Sequence, residues 1–265
     1  MHMSRIFACS CAVVMLVALT AVIVPPVQRA AAEPPAAPAA GDKDGWEVLF
    51  DGKNLDAWQV DPKAGVWAIN EQGELHPAKG GPDLFTKERY CDFVLEVDFK
   101  LAAKSKSNSG VFIRVHDPRN PVNTGMEIQI LDNADYGVKY DAGNANGALY
   151  GLVRPAVDAN KPLGEWNQFR ITCDKSLVTV ELNGKEIVKA DLNRWTTAHK
   201  NPDGSGNKFP YAIAALPREG FVALQNYGGK SLWFRNVRIK KLSDRKPQFT
   251  GKEPMAEVLR KIESK

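Results

Sequence analysis

The stretch from Ser176 to Ala190 reads SLVTVELNGKEIVKA and is the clearest indication of the fold class. Apolar and polar residues largely alternate on both sides of the central pair Asn183–Gly184, and this period of two residues is typical of half-buried β-strands. Asn-Gly is the preferred pair for a two-residue type I′ turn, in which both residues adopt positive φ angles. The stretch therefore predicts an antiparallel hairpin and favours β-structure around it.

The same period continues through the rest of the chain. In Asp92–Leu101, for example, every second residue from Phe93 onward is apolar. Clusters of Gly, Pro, Asn and Asp separate the alternating segments, which also include Gly110–Val115, Gly220–Gly228 and Ser231–Leu242. Many short strands with little helix predict an all-β protein, folded as a two-sheet sandwich or jelly roll.

One short helix is predicted in the charged C-terminal tail, residues 243–265. Its apolar residues Met255, Val258, Leu259 and Ile262 follow the i, i+3, i+4, i+7 spacing of one helix face, and Pro254 suits a first turn. We expect this helix to dock on the outside of the sandwich. The alternative is a fraying charged extension.

The N-terminal region has the form of an export signal. Residues 1–32 combine a positive start at Arg5, an apolar run from Ile6 to Val24 and small residues before Glu33, which predicts cleavage after Ala32. An uncleaved membrane anchor is the alternative. A Pro/Ala-rich linker, residues 33–44, follows, and the globular domain is expected over 45–242. The sequence thus predicts a periplasmic or extracellular protein with no stable membrane span after cleavage.

Charge and cysteine content exclude some classes of protein. Two of the 35 basic residues lie in the signal, which leaves 33 against 31 acidic residues, too balanced for a nucleic-acid-binding protein. Cys91 and Cys173 follow the signal, and an exported protein permits a disulfide between them. We favour two buried free thiols, because a domain of this size needs no covalent cross-link.

Candidate chemistry lies in Thr124–Asn133, which reads TGMEIQILDN. Strict alternation places Glu127 and Gln129 on one face of the strand. A bulge at Ile130–Leu131 would bring Asp132 round to join them. The spacing resembles the E-x-D-x-x-E of laminarinase-type glucanases, with Gln in the middle and Asp at the end. The alternative is a solvated polar strand face.

The preceding strand adds further candidates. Arg114 is expected on the same face, paired with Glu127, because a buried arginine needs a carboxylate partner. His116 continues that parity, and Asn108 and Ser109 can offer amide and hydroxyl groups to a sugar, although a turn before the strand accounts for them more simply. The loop residues Asp203, Ser205 and Asn207 have the spacing of the start of a calcium loop but lack its terminal glutamate, which favours an ordinary loop. None of the common nucleotide-binding or metalloprotease motifs occurs.

Several segments in series resemble the 3-keto-disaccharide hydrolase domain family. They are GWEVLFDGKNLDAW, NSGVFIR, GMEIQILDN, GALYGLVRPAVDANKPLGEWNQFRI, LNGKEIV and GFVALQNYG…LWFRNVRIK, in the expected order from Gly45 to about Leu242. The resemblance implies a concanavalin-like jelly roll, export, and activity on glycosides oxidised at C3. Residues that match the family's polar core are Asn108, Ser109, Arg114, Glu127, Gln129 and Asp132.

One segment departs from the family pattern. The family usually shows L-Q-D-H-G where this chain has Leu224-Gln225-Asn226-Tyr227-Gly228. The substitution removes an aspartate and a histidine, the two groups of this segment that are suited to acid–base chemistry or metal binding. Gln225 and Tyr227 are kept as candidate substrate contacts.

Cleavage of the implied substrate requires few catalytic groups. A ketone at C3 acidifies the hydrogen at C2; a base removes it, the enolate expels the C1 oxygen, and water adds to the enone. Glu127 is the candidate base and Arg114 the candidate stabiliser of the enolate, or both roles fall to a divalent cation held by Glu127 and His116. No other cofactor is evident. The rival hypotheses are a non-catalytic carbohydrate-binding module and a glycoside hydrolase that uses Glu127 and Asp132.

Overall fold

The computed structural model describes residues 44–103, 106–228 and 231–264, and the predicted all-β, two-sheet sandwich with a short C-terminal helix is confirmed. The predicted signal and nearly all of the linker lie outside the described residues. The strands are β1 (Trp46–Phe50), β2 (Trp58–Gln59), β3 (Trp67–Ile69), β4 (Leu75–Pro77), β5 (Leu84–Thr86), β6 (Phe93–Leu101), β7 (Asn108–Val115), β8 (Met126–Leu131), β9 (Trp166–Asp174), β10 (Leu177–Leu182), β11 (Lys185–Asp191), β12 (Phe221–Leu224) and β13 (Leu232–Lys241).

Helical structure is short throughout the described residues. The α-helices are α1 (Pro121–Thr124) and α2 (Met255–Glu263), and single 3-10 turns occur at Pro62–Ala64, Leu192–Arg194 and Ile213–Ala215. None of these helices is long and apolar enough to cross a membrane.

The strands form two antiparallel sheets. The larger sheet has eight strands in the order β11-β10-β9-β6-β13-β4-β3, with β1 also paired to β13. The smaller sheet has five strands in the order β2-β5-β12-β7-β8. The outer edge of β8 is covered by residues 147–150, whose backbone bonds to Glu127 and Gln129. The polar strand identified from the sequence therefore has partners on both sides.

The alternating pattern explains which face of each strand is buried. The core between the sheets takes Val111, Ile128 and Ile130 from the smaller sheet and Phe93, Leu95 and Val97 from the larger one. The predicted β10–β11 hairpin is present, with φ angles of 53° at Asn183 and 78° at Gly184. Both residues have the positive φ that a type I′ turn requires.

The strand β7 contains a bulge that the sequence did not predict. Val115 pairs with Phe221 and Phe112 with Ala223, so Ile113 and Arg114 together face the single residue Val222. Arg114 adopts a left-handed φ of 50° at this point. The predicted bulge at Ile130–Leu131 is wrong, because β8 pairs with β7 in unbroken register from Met126 to Leu131. Alternation in β7 is consequently reversed after Ile113.

The C-terminal tail packs against the domain rather than fraying. Met255 and Val258 of α2 are buried, as the predicted docking requires. The preceding loop is fixed by the buried carboxylate of Glu219, which accepts hydrogen bonds from the backbone N–H groups of Gln248 and Phe249. Cys91 and Cys173 are both buried and free, as we favoured from the sequence.

Candidate active site

Glu127 is the central polar residue on the outer face of the smaller sheet. It belongs to the alternation opposite to the core-facing Ile128, and only 6% of it is exposed. Its neighbour across the pair is Phe112, and the adjacent Gly110 makes room for its carboxylate. A Cβ atom at Gly110 would lie 2.5 Å from Glu127 Oε1, so any larger residue there would displace the carboxylate.

The environment of Glu127 raises its pKa to about 7. Burial is the main cause, because removal from water penalises the charged form, and the negative charge of Asp83 acts in the same direction. Lys208 and a hydrogen bond from the side chain of Gln225 partly oppose the shift. A carboxyl group with this pKa exchanges a proton readily at neutral pH, which suits a general base or acid.

Lys208 is the cation of the site. Its Nζ atom lies 3.8 Å from Glu127 Oε2 and 4.8 Å from the ring centroid of Tyr150. Burial lowers the pKa of the Lys208 ammonium, and the charge of Glu127 works against this shift. The side chain therefore places a positive charge beside Glu127 without a close hydrogen bond that would occupy the carboxylate.

The loop around residues 199–209 holds Lys208 in place. Asn207 Oδ1 accepts the backbone N–H of Phe209, and Asn201 bonds to Trp195 and to the carbonyl of Gly151, next to Tyr150. In the same loop Asp203 accepts both the N–H and the hydroxyl of Ser205. The residues considered as the start of a calcium loop thus bond within their own loop.

Gln129 and Asn108 extend the polar face along the strands. Gln129 Nε2 donates to Asn108 Oδ1 over 3.1 Å, and Gln129 shares the face of Glu127 as alternation predicted. Asn108 is half-buried, so its amide borders the surface. The predicted grouping of Glu127, Gln129 and Asn108 is therefore present.

Two loops form a wall beside Glu127. Gln225 contributes its side chain to Glu127, and the next residue, Asn226, donates its backbone N–H to Asp83 Oδ1 over 2.8 Å. Asn226 also donates from its side-chain amide to the carbonyl of Lys79. Tyr227 is 52% exposed at the end of this wall. Gln225 and Tyr227 thus lie where a ligand on the sheet face can contact them.

The predicted pair between Arg114 and Glu127 is wrong. Because of the bulge, the guanidinium of Arg114 instead donates to the carbonyls of Cys91 and Lys175 and to the carboxylate of Asp92. These three residues belong to the larger sheet or its turns, and Arg114 is 1% exposed. Its hydrogen-bonding groups are occupied within the protein.

His116 and Ser109 are also turned away from the candidate site. His116 is fully buried: its Nε2 contacts the carbonyl of Glu253, and its ring packs edge-on against Phe249. A metal site built from Glu127 and His116 is therefore not formed. Ser109 donates its hydroxyl to the carbonyl of Gln225, so it supports the wall instead of offering that hydroxyl to a sugar.

Asp132 lies apart from Glu127. Without the predicted bulge it follows the end of β8 on the opposite alternation, and its Oδ1 accepts the backbone N–H of Asp135. Asp132 borders a separate cavity of about 370 Å³ that is also lined by Leu101, Asn146 and Asn167. The carboxylate pair of a laminarinase-type hydrolase is not assembled. Among the described residues, no group of three or more His, Cys, Asp or Glu side chains is placed to hold a metal ion.

Sequence reasoning missed three residues of the site: Lys208, Tyr150 and Asp83. Lys208 and Tyr150 come from loops far from Glu127 along the chain and carry no local signal. Asp83 stands in GGPDLF, directly before β5, where a carboxylate after two glycines at a strand end was the available hint.

Known proteins that are similar to this chain have names that refer to carbohydrate substrates. A family model described as 3-keto-alpha-glucoside-1,2-lyase-like domain matches residues 45–240, a range that includes Asp83, Glu127 and Lys208. A 3-keto-disaccharide hydrolase of Bacteroides thetaiotaomicron is 29% identical to this chain over 236 residues, which are 76% of this chain and 80% of that protein.

Two solved structures of candidate glycosyl hydrolases from Parabacteroides distasonis are also similar. One is 35% identical, with a TM-score of 0.66, and the match covers 74% of this chain and 99% of that one. The other is 26% identical, with a TM-score of 0.61 and coverage of 75% and 94%. The similarity in both cases extends over nearly the whole of the solved chain.

Proposed function

Because this chain belongs to the 3-keto-alpha-glucoside-1,2-lyase-like domain family, we propose that it is an exported enzyme that cleaves 3-keto-glycosides by elimination followed by hydration. The observation that carries the proposal is Glu127, a buried carboxyl group with a pKa of about 7 beside the ammonium group of Lys208. One base with one cation beside it is what the first step of this chemistry needs.

The proposed reaction begins at C2 of the oxidised sugar. Glu127 removes the C2 proton, and the electron pair moves toward the ketone oxygen at C3 to give an enolate. The enolate collapses, the bond between C1 and the glycosidic oxygen breaks, and an enone is formed. Water then adds at C1 and a proton returns to C2, which yields the free 3-keto sugar. Without the ketone the C2 hydrogen is not acidic enough for a carboxylate to remove.

Lys208 takes the role that the sequence suggested for Arg114. Its ammonium group stands beside the base, and burial strengthens its attraction for the negative charge that develops on the enolate oxygen. Gln129, Asn108 and Gln225 are the candidates for hydrogen bonds to sugar hydroxyls. Tyr227 offers an exposed ring on which a sugar can stack.

The proposal is tested with a matched pair of substrates. The chain from Glu33 onward is incubated with methyl 3-keto-glucoside and with methyl glucoside, each with and without chelator, and free sugar is measured. We expect cleavage of the keto compound alone. Equal cleavage of both would indicate an ordinary glycoside hydrolase. Binding of the keto compound without turnover would favour a carbohydrate-binding module, and loss of turnover with chelator would require a metal.

Export is part of the proposal and rests on the N-terminal signal pattern of residues 1–32. Mass spectrometry of the protein isolated from its native cells is expected to show a mature N-terminus at Glu33. An intact Met1 in the bulk of the protein would contradict export by a cleaved signal.

A further inference from the structure

Asp83 is a second carboxyl group of the active site that has no role in the first proton transfer. It is half-buried at the start of β5, and burial raises the pKa of its carboxyl group. Its Oδ1 accepts the backbone N–H of Asn226 over 2.8 Å. Within the described residues its other oxygen makes no hydrogen bond. The group is thus fixed in position with one oxygen open to a ligand.

Asp83 and Glu127 are linked through two consecutive residues. Asn226 donates its backbone N–H to Asp83, and the side chain of the preceding residue, Gln225, lies beside Glu127. The two carboxyl groups are close enough to interact, so ionisation of one raises the pKa of the other and the pair retains one proton more readily than two separate carboxyl groups would. Asn226 is itself held by the carbonyl of Lys79, so the spacing between the two groups is set by the backbone.

The proposed reaction requires a second proton-transfer group. An alkoxide is a poor leaving group, so the glycosidic oxygen must receive a proton as the bond to C1 breaks. Glu127 is taking a proton from C2 at that stage. A fixed carboxyl group on the neighbouring wall is placed to serve the other atom.

We propose that Asp83 is the acid that protonates the departing glycosidic oxygen and then the base that activates water for addition at C1. This inference rests on the proposed elimination and hydration. The reactive form of the pair carries its one proton on Asp83, so in the first step Glu127 gains the C2 proton while Asp83 loses its proton to the leaving alcohol. In the second step Asp83 takes a proton from water as the oxygen bonds to C1, and Glu127 returns its proton to C2. Both groups end in their starting states, so the enzyme is ready for another turnover.

The leaving group gives a direct test. Nitrophenolate departs without protonation, whereas methoxide does not. Asp83→Asn keeps an oxygen for the N–H of Asn226 but cannot donate the proton. Turnover of methyl 3-keto-glucoside is expected to fall by about 10²–10⁴, while release of nitrophenol from 4-nitrophenyl 3-keto-glucoside changes by less than about tenfold. Hydration is slowed as well, so the enone accumulates and is detected by its ultraviolet absorbance.

Three further variants determine whether the acid is Asp83 or another group. Asp83→Glu retains a carboxyl group and is expected to recover part of the turnover of the methyl substrate. Lys208→Met identifies the rival donor: if it alone shows the leaving-group dependence, Lys208 is the acid and the inference is overturned. Asp56→Asn removes an exposed carboxylate elsewhere and is expected to leave both substrates unaffected.

The outcomes distinguish this inference from the proposed function. If the wild type cleaves both keto substrates but Asp83→Asn loses activity on both equally, with no enone, Asp83 acts only in positioning and the inference fails alone. Unchanged activity on both substrates overturns it in the same way. If the wild type cleaves neither keto substrate, the proposed function fails and this inference fails with it.

Discussion

Arg114 and Glu127 are buried charged residues on adjacent strands, yet their surroundings are opposite. Arg114 is 1% exposed and Glu127 6% exposed. The guanidinium of Arg114 makes its bonds with two carbonyl groups and the carboxylate of Asp92. Glu127 has the ammonium group of Lys208 at 3.8 Å and the side chain of Gln225 beside it. The protein supplies partners for all the hydrogen-bonding groups of Arg114, whereas the carboxylate of Glu127 keeps unused hydrogen-bonding capacity.

Asp92, the partner of Arg114, and Glu127 have pKa values that are shifted in opposite directions. Burial acts to raise the pKa of Asp92, the partner of Arg114, but hydrogen bonds from Lys175 and Ser243 and the charges of Arg245 and Arg114 bring it below its usual value. The pKa of Glu127 is raised to about 7 because its partners do not compensate for burial. A buried charge with all its partners in the protein supports the fold, whereas an under-compensated one can exchange protons with a ligand.

We expect the greatest loss of activity from neutralising Glu127. Glu127→Gln preserves shape but removes the base, so turnover of 3-keto-glycosides should fall by about 10²–10⁴ while binding persists. The free energy of unfolding should not decrease, because the ammonium group of Lys208 lies too far from Glu127 to form a short hydrogen bond that the substitution would remove. Steady-state kinetics and chemical denaturation measure the two quantities.

The matched control for that variant is Glu96→Gln in the larger sheet. Glu96 is also buried, but it accepts a hydrogen bond of 2.7 Å from Arg238 and also pairs with Arg170. Stability should fall there and activity should not. Full turnover of Glu127→Gln would show that Glu127 positions the substrate and that another base exists.

A substitution of Arg114 tests whether this residue supports the fold rather than catalysis. Arg114→Met leaves Asp92 without one of its cations and two carbonyl groups without donors, and removal of one partner from a buried pair costs about 3–5 kcal/mol. Urea denaturation should show this loss, with kcat/KM of the folded fraction unchanged. A fall in kcat/KM by an order of magnitude at unchanged stability would restore the catalytic role that the sequence suggested.

Alternation along the strands explains both what the sequence predicts correctly and where it fails. A period of two correctly placed Glu127 and Gln129 together, because β8 pairs without interruption. It failed for Arg114 because a bulge at Ile113–Arg114 reverses every following residue of β7, and a single-residue shift moves a side chain to the other face. A glycine in a sequence indicates a position that favours a left-handed backbone, whereas an arginine that adopts this conformation gives no such indication. Lys208 joins the site through the packing of a distant loop, which no local pattern predicts.

The stability of the protein should depend on pH through Glu127. The pKa of Glu127 is about 7 in the folded protein against an ordinary value of 4.5, so the folded state binds the proton more tightly than the unfolded state. Stability from this group is present below pH 4.5 and is lost as pH rises to about 7. The loss is about 3 kcal/mol, and Glu127→Gln should lack it. A difference between variant and wild type that is equal at pH 4 and pH 8 would contradict the raised pKa.

A more modest change is expected at Lys208, the cation that keeps the pKa of Glu127 from rising further. Lys208 lowers the pKa of Glu127, so Lys208→Met should raise it. Since the base acts in its ionised form, kcat/KM of the wild type for 4-nitrophenyl 3-keto-glucoside, whose leaving group needs no acid, should increase with pH through about 7, and this limb should move to higher pH in the variant. The maximal rate should fall too, because the enolate loses its counter-charge.

Lys200→Met, which removes an exposed lysine of the same loop, is the control and should leave the limb in place. A reduced rate with an unmoved limb would mean that Lys208 stabilises the enolate without setting the proton affinity of the base, and a limb displaced to lower pH would contradict the arrangement of charges around Glu127.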